Sequence, residues 1–260
     1  MEGLMSGRHD LTEREWAAIA PLLPNKPRGV ARVDDRRVIS GIFYILRTGA
    51  PWRDLPERYG PPTTVYNRYN RWAKQGVWLR IFERLSQVSP ESLHLLDSSI
   101  VRAHQHAAGG KKGGPDHAIG RSRGGLTTKI HAVVDARGLP VRFVLTPGQA
   151  SDKTTTPELV GPLRLRGDVV ADRGYFGRPV TDAIEASGAT AHIPSQSNVR
   201  VVRSVDPDLY RKRNMIERFF NRLKHFRGIA TRYFKTAANF LAAIHLAATR
   251  LWIRTYESTT

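Results

Sequence analysis

No cysteine occurs in the 260 residues. A disulfide scaffold, a catalytic thiol and any Cys-ligated zinc or iron–sulfur site are excluded together. Acid is scarce. Only 23 Asp and Glu face 41 Lys and Arg, a formal net charge of +18. An excess of that size points to a polyanionic partner, most simply nucleic acid. Charge alone fits an anionic membrane surface or ribosomal RNA equally well. Long apolar runs are missing too. The best, Ala237 to Ala248, is interrupted by Asn239 and His245 and falls short of the roughly 18 residues of a membrane span. Met1 to His9 is polar and lacks the apolar centre of a secretion signal. The expectation is a soluble, cytosolic protein without a membrane segment. Hydrophobic residues make up 40% of the chain, enough for a core in one large domain or two modest ones.

The first 88 residues read as helical. Thr12 and Glu15 form a capping box ahead of Trp16, Ile19, Leu22 and Leu23, and Pro24 ends that run. Asp34 or Asp35 can cap a second helix carrying Val38, Ile39, Ile42, Phe43, Ile45 and Leu46, closed by Gly49. Thr63 or Thr64 caps a third, Val65 to Lys74, and Gly76 precedes a fourth, Val77 to Val88. The third helix turns Val65, Tyr66, Tyr69 and Trp72 toward a core. Asn67, Arg68, Asn70, Arg71 and Lys74 are left for a partner, and such types suit phosphates and base edges in a major groove. A helix-turn-helix variant and a plain charged surface helix both fit.

Ser89-Pro90 breaks the pattern, and residues 89–260 read as a second, mixed domain. A short strand, His94 to Leu96, ends at Asp97. Ala107 to Gly125 holds seven glycines with Lys111, Lys112, Arg121 and Arg123. It reads as a mobile basic flap or a plain insertion, without phosphate-loop spacing. Lys129–Asp135 and Leu139–Thr146 form a hairpin across Ala136-Arg137-Gly138. Helix Pro157–Leu163, strand Asp168–Ala171, helix Pro179–Ser187 and strand Thr190–Pro194 follow. Asp208 to Tyr256 is helical with a break near Gly228. A hairpin followed by alternating strand and helix suits an α/β fold with one mixed sheet.

Asp97 and Asp172 each close an apolar run, which places a carboxylate at the sheet rim, where ligands bind in open α/β sheets. A turn or cap role fits each Asp alone. Asp135, Asp152 and Asp168 also lie near strand ends, and spacing does not exclude them. The helix from Leu209 to Phe226 adds a third acid. At about 100° per residue, Tyr210, Arg213, Glu217 and Lys224 share a stripe about 60° wide, opposite Met215, Ile216, Phe219, Phe220, Leu223 and Phe226. That stripe is either a solvated face with an Arg213–Glu217 ion pair or part of a site. Two hard divalent cations need shared carboxylate oxygens, with Arg and Lys nearby to hold phosphates. His104, His106 and His131 are given no role.

Tyr210-x2-Arg213-x3-Glu217-x6-Lys224 resembles the signature of bacterial insertion-sequence DDE transposases, the group around the fourth and fifth insertion-sequence families. Leu96-Asp97-Ser98-Ser99 and Ala171-Asp172-Arg173-Gly174-Tyr175 are similar to that family's first and second acidic motifs. The resemblance extends to Gly124-Gly125-Leu126-Thr127-Thr128-Lys129-Ile130-His131 and to the opening Leu11-Thr12-x2-Glu15-Trp16, and so spans nearly the whole chain. It implies an RNase H-like catalytic domain with Asp97, Asp172 and Glu217 as catalytic, metal-binding carboxylates for two Mg²⁺ (or Mn²⁺) ions. The implied reaction cuts at an element's end to release a 3′ hydroxyl, which then attacks a target phosphodiester. Tyr210, Arg213 and Lys224 fall to DNA phosphates or to positioning of the triad. The implied partner is double-stranded DNA, both terminal inverted repeats and target, bound by a dimer or higher oligomer in a bacterial, nucleoid-associated setting. A non-catalytic DNA-binding regulator and a metal-dependent nuclease without strand transfer are the competing readings.

Overall fold

A computed structural model describes residues 7–25, 32–86, 92–109, 117–196, 199 and 205–258. Helix α1 (Glu13–Ile19) begins at the expected capping box. The Thr12 hydroxyl accepts from the Glu15 amide at 3.0 Å, and the Glu15 carboxylate accepts from the Thr12 amide at 3.1 Å. Helix α2 (Asp35–Thr48) is capped by Asp34 and closed by Gly49 at φ +71°, a conformation costly to any side chain. Helices α3 (Pro62–Lys74) and α4 (Val77–Leu85) complete the N-terminal group. Pro62 opens α3 without help from Thr63 or Thr64, its fixed φ suiting a first helical turn.

The rest runs β1 (His94–Ala103), α5 (Gln105–Ala108), β2 (Gly120–Ser122), β3 (Gly125–Asp135), β4 (Pro140–Pro147), α6 (Asp152–Val160), β5 (Asp168–Ala171), α7 (Arg178–Ala186) and β6 (Thr190–His192). It closes with α8 (Pro207–Arg211), α9 (Asn214–Lys224), α10 (Arg227–Ala230), β7 (Thr231–Arg232) and α11 (Ala237–Ser258). The expected hairpin is present, with Gly138 at φ +71° in its turn.

Several expectations need correction. Strand β1 does not end at Asp97 but continues to Ala103, because β3 pairs with it along its length, from His94↔Asp135 to Arg102↔Thr127. What ends at the level of Asp97 is the parallel neighbour β5. Helix α6 starts at Ser151, whose hydroxyl accepts from the Lys153 amide, and takes Pro157 into its interior. The expected helix from Leu209 to Phe226 is two helices, parted at Lys212-Arg213. Both ends of the glycine-rich stretch are ordered, as α5 and as the edge strand β2.

The seven-stranded sheet has the central order β4-β3-β1-β5-β6, with β2 on β3 and β7 on β1. Strand β3 runs antiparallel to its neighbours β1 and β4, while β5 pairs parallel with β1 and β6 parallel with β5. It is a mixed sheet of RNase H-like type, flanked by helices and preceded by a helical region.

Strand alternation sends successive residues to opposite faces. Leu95, Val170, Ile130, Ala132 and Val134 join one core with α2, α3, α4, α9 and α11. Leu96, Val169, Ala171 and Val133 join the other with α6 and α7. The N-terminal helices therefore share a core with the C-terminal helix α11. Glu15, fully buried on α1, is held by Arg250 of α11 at 2.7 and 2.8 Å. Among the described residues no helix is long and apolar enough to cross a membrane.

Candidate active site

Asp97 lies two residues beyond Leu95, and Asp172 two beyond Val170. Both carboxylates thus emerge on the face that α9 covers. Leu96 and Ala171 are register partners on adjacent parallel strands, so the two aspartates follow side by side, about one strand spacing apart. Helix α9 packs against β1 and β3 and brings Glu217 across them. Arg213, at the N-terminal boundary of α9, joins the acids. Its Nη1 donates to Asp97 Oδ2 at 3.0 Å, and its Nη2 donates to Glu217 Oε1. Tyr210 stands behind, its ring centroid 6.0 Å from the Arg213 guanidinium carbon.

The carboxylate of Asp97 is under stress. Burial pushes its pKa up to about 6. The Ser98 amide, donating at 2.7 Å, and Arg213 pull it down, while Asp172 and Glu217 push it up. Asp97 therefore feels both of the other acids, although burial dominates. Asp172 is fixed from its own turn, accepting from the Gly174 amide at 2.8 Å.

Hard carboxylate oxygens from two strands and a helix, outnumbering the single guanidinium among them, are a donor set that fits divalent cations. Among the described residues no three His, Asp or Glu side chains yet stand close enough to enclose an ion. Arg213 bridges two of the three acids instead.

The other expected contacts scatter. Lys224 is half-buried two turns along α9 from Glu217, and burial lowers its pKa. Arg71 and Lys74 are exposed and line a shallow groove with Asn67, Asn70 and Gln75. Arg68 is not turned outward. Its side chain is only 5% exposed, pairs with Asp35 and lies 5.2 Å from the Trp72 ring. Tyr66, expected in the core, is 42% exposed against Trp52. Arg121 and Arg123 are exposed at the β2 edge, where Arg123 borders a groove with Ile100, Arg102 and Thr127. Lys111 and Lys112 lie outside the described residues.

A second polar cluster was missed by sequence reasoning. It sits on the opposite face of the sheet, behind Asp97. Asp152, at the start of α6, accepts from Ser98 Oγ at 2.9 Å and pairs with Lys129 Nζ at 2.9 Å. Lys129 also donates to the Ala150 carbonyl at 2.7 Å. The buried His131 ring faces Asp152 on one side and bonds Thr146 Oγ1 at 2.8 Å on the other. Burial lowers its pKa and keeps it neutral at pH 7. Buried Tyr175 reaches Ser98 from the turn after Asp172, and burial raises its phenol pKa. The period-two placement of Lys129 and His131 on one strand was the available signal.

The chain is similar to known proteins in sequence and in fold. The family model "Transposase DDE domain" matches residues 89–252. The chain belongs to the DDE transposase family. A further model, for transposases of the IS4/5 family, matches residues 11–82 of the transposase. A Brucella ovis protein assigned to insertion sequence element IS6501 as its transposase is 41% identical over 130 residues, half of this chain and all of that one. The protein y4sN of Sinorhizobium fredii is 37% identical over 104 residues, covering 39% of this chain and 83% of its own. Among solved structures, the piggyBac transposase synaptic complex with hairpin DNA aligns over 93% of this chain and 71% of that chain. The TM-score is 0.52 at 11% identity, a likeness of fold. As a DDE transposase, the protein is a DNA-cleaving and strand-transferring enzyme. The family works with divalent metal ions.

Proposed function

We propose that Asp97, Asp172 and Glu217 are the catalytic carboxylates and that they hold two Mg²⁺ or Mn²⁺ ions. The observation that carries this reading is geometric: Asp97 and Asp172 follow register partners on adjacent parallel strands, and Arg213 ties Asp97 to Glu217 from α9. The ions would supply charge neutralisation for attacking and leaving oxygens. The chain supplies the rest. Asp97 and Asp172 fix two donor groups on rigid strands, Glu217 completes the set from α9, and Arg213 with Lys224 holds phosphate and balances charge. Cleavage at an element end yields a 3′ hydroxyl, and the same site directs that hydroxyl onto a target phosphodiester. No protein nucleophile is needed.

The partner in this reading is double-stranded DNA, both the element's terminal inverted repeats and the target. Residues 1–88 read the repeat, with Arg71 and Lys74 on α3 as contacts, and Arg121 and Arg123 touch DNA from the β2 edge. Residues 89–260 carry the chemistry. Pairing two ends needs at least a dimer, working at the bacterial nucleoid in the cytoplasm. The test is an incubation of full-length protein with labelled element ends, a target plasmid and Mg²⁺. Joined products support the proposal. Cleavage alone supports a nuclease, and retarded but intact DNA a regulator. Full cleavage by Asp172→Asn would refute the triad.

A further inference from the structure

A cavity of about 170 Å³, remote from the triad, is lined by Arg8, His9, Arg47, Phe226, Arg250 and Arg254. Four guanidinium groups meet there, and one buried carboxylate, Glu15, pairs with two of them, Arg250 and Arg254. Arg250 meets Glu15 with two bonds and gives one each to the His9 and Asp10 carbonyls, leaving one Nη1 donor over. Arg254 adds a third bond to Glu15 at 3.2 Å and stays half exposed. Among the described residues no carboxylate pairs with Arg8 or Arg47. Arg47 has only the Phe226 ring, 5.3 Å from its guanidinium carbon. The cations press on one another: after burial, Arg254, Arg8 and Arg250 lower the Arg47 pKa, and Arg8, Arg250, Arg47 and Arg58 lower that of His9.

Such crowding raises the energy of the folded chain. Neither Arg8 nor Arg47 is drawn there by Glu15, whose partners are Arg250 and Arg254. Concentrated, uncompensated positive charge in a cavity is what an anion requires. The pocket has a fixed relation to the triad, because it lies just past the C-terminal end of α9. Phe226 stands about 13 Å along the axis from Glu217, on the core-facing side of the helix rather than on the stripe that carries Glu217.

We propose that the Arg8–Arg47–Arg250–Arg254 pocket is a seat for a DNA backbone phosphate, on a part of the duplex away from the scissile bond. This rests on the reading that the transposase binds duplex DNA.

The test uses full-length protein without metal and a fluorescein-labelled duplex, comparing wild type, Arg8→Gln/Arg47→Gln and Arg47→Lys by anisotropy across a salt series. The double variant should bind several-fold more weakly, and its slope of log affinity against log salt should drop by about 1. Arg47→Lys should retain most of the affinity. In the absence of DNA the double variant should melt no lower than wild type, since repulsion is relieved, whereas a purely structural pair would lower the melting temperature. Wild type that binds while the double variant keeps the same affinity and salt slope overturns the pocket alone. Wild type that binds no duplex overturns the DNA reading as well. Stabilisation of wild type by inorganic phosphate, with DNA affinity unchanged in the variant, would assign the pocket to a small free anion and sink the DNA seat.

Discussion

The two faces of the central sheet treat a carboxylate in opposite ways at nearly the same point. On the α6 face, Asp152 is surrounded by Ser98, Lys129 and the edge of His131. On the α9 face, Asp97 has one guanidinium, shared with Glu217, and two acids pressing on it. Adjacent residues of one strand, Ser98 and Asp97, serve the two environments. A carboxylate with its own cation and hydroxyl donor fixes backbone geometry. An under-compensated one stores a demand for positive charge, the usual mark of a functional site. The α6 cluster reads as the anvil that holds β1 while the other face does chemistry.

Substitutions can break this contrast. Asp172→Asn and Asp97→Asn should each reduce strand cleavage by at least about a thousandfold, an effect of about 4 kcal/mol or more on the barrier, with DNA retained in a gel-shift assay and folding intact by circular dichroism. On the other face the sign reverses. Lys129→Met should cost about 2 kcal/mol of stability by urea denaturation, because it strands the partly buried Asp152. Equal melting of Lys129→Met and wild type would erase the distinction between the faces.

A pH titration sharpens it further. Asp97 titrates near 6 in the folded chain against an ordinary value of 3.8. The folded state then holds the proton more tightly than the unfolded chain. The associated stability is fully present below about pH 4 and is lost as pH rises to about 6, by about 3 kcal/mol. Chelator-treated wild type should show that fall in its melting temperature, and Asp97→Asn should flatten it. Smallest of all, Ser98→Ala should cost about 1 kcal/mol and slow cleavage modestly by loosening β1. A loss as deep as that of Asp172→Asn would move Ser98 into the chemistry itself.

Much of this was legible in the residues. The motifs around Asp97 and Asp172 and the spacing from Tyr210 to Lys224 carried the family. The length of β1 was not legible, because Asp97, Ser98 and Ser99 interrupt the apolar pattern while β3 keeps pairing with them. The break before α9 falls at Lys212-Arg213, where no Gly or Pro announces it. Arg68 is instructive. Its spacing with Val65 and Trp72 put it on the buried face of α3, and only its charge argued for solvent. The ion pair to Asp35 let spacing prevail. The cluster around Asp152 joins segments distant in sequence, and the period-two placement of Lys129 and His131 marks only their shared face.

The most direct test is an anomalous-scattering crystal structure of the full-length protein grown with Mn²⁺ at neutral pH. The account predicts anomalous density flanked by Asp97 and Asp172, with Glu217 turned toward it and Arg213 drawn away from the acids. Density at Asp152 instead, or an undisturbed Arg213 bridge in saturating Mn²⁺, would contradict it.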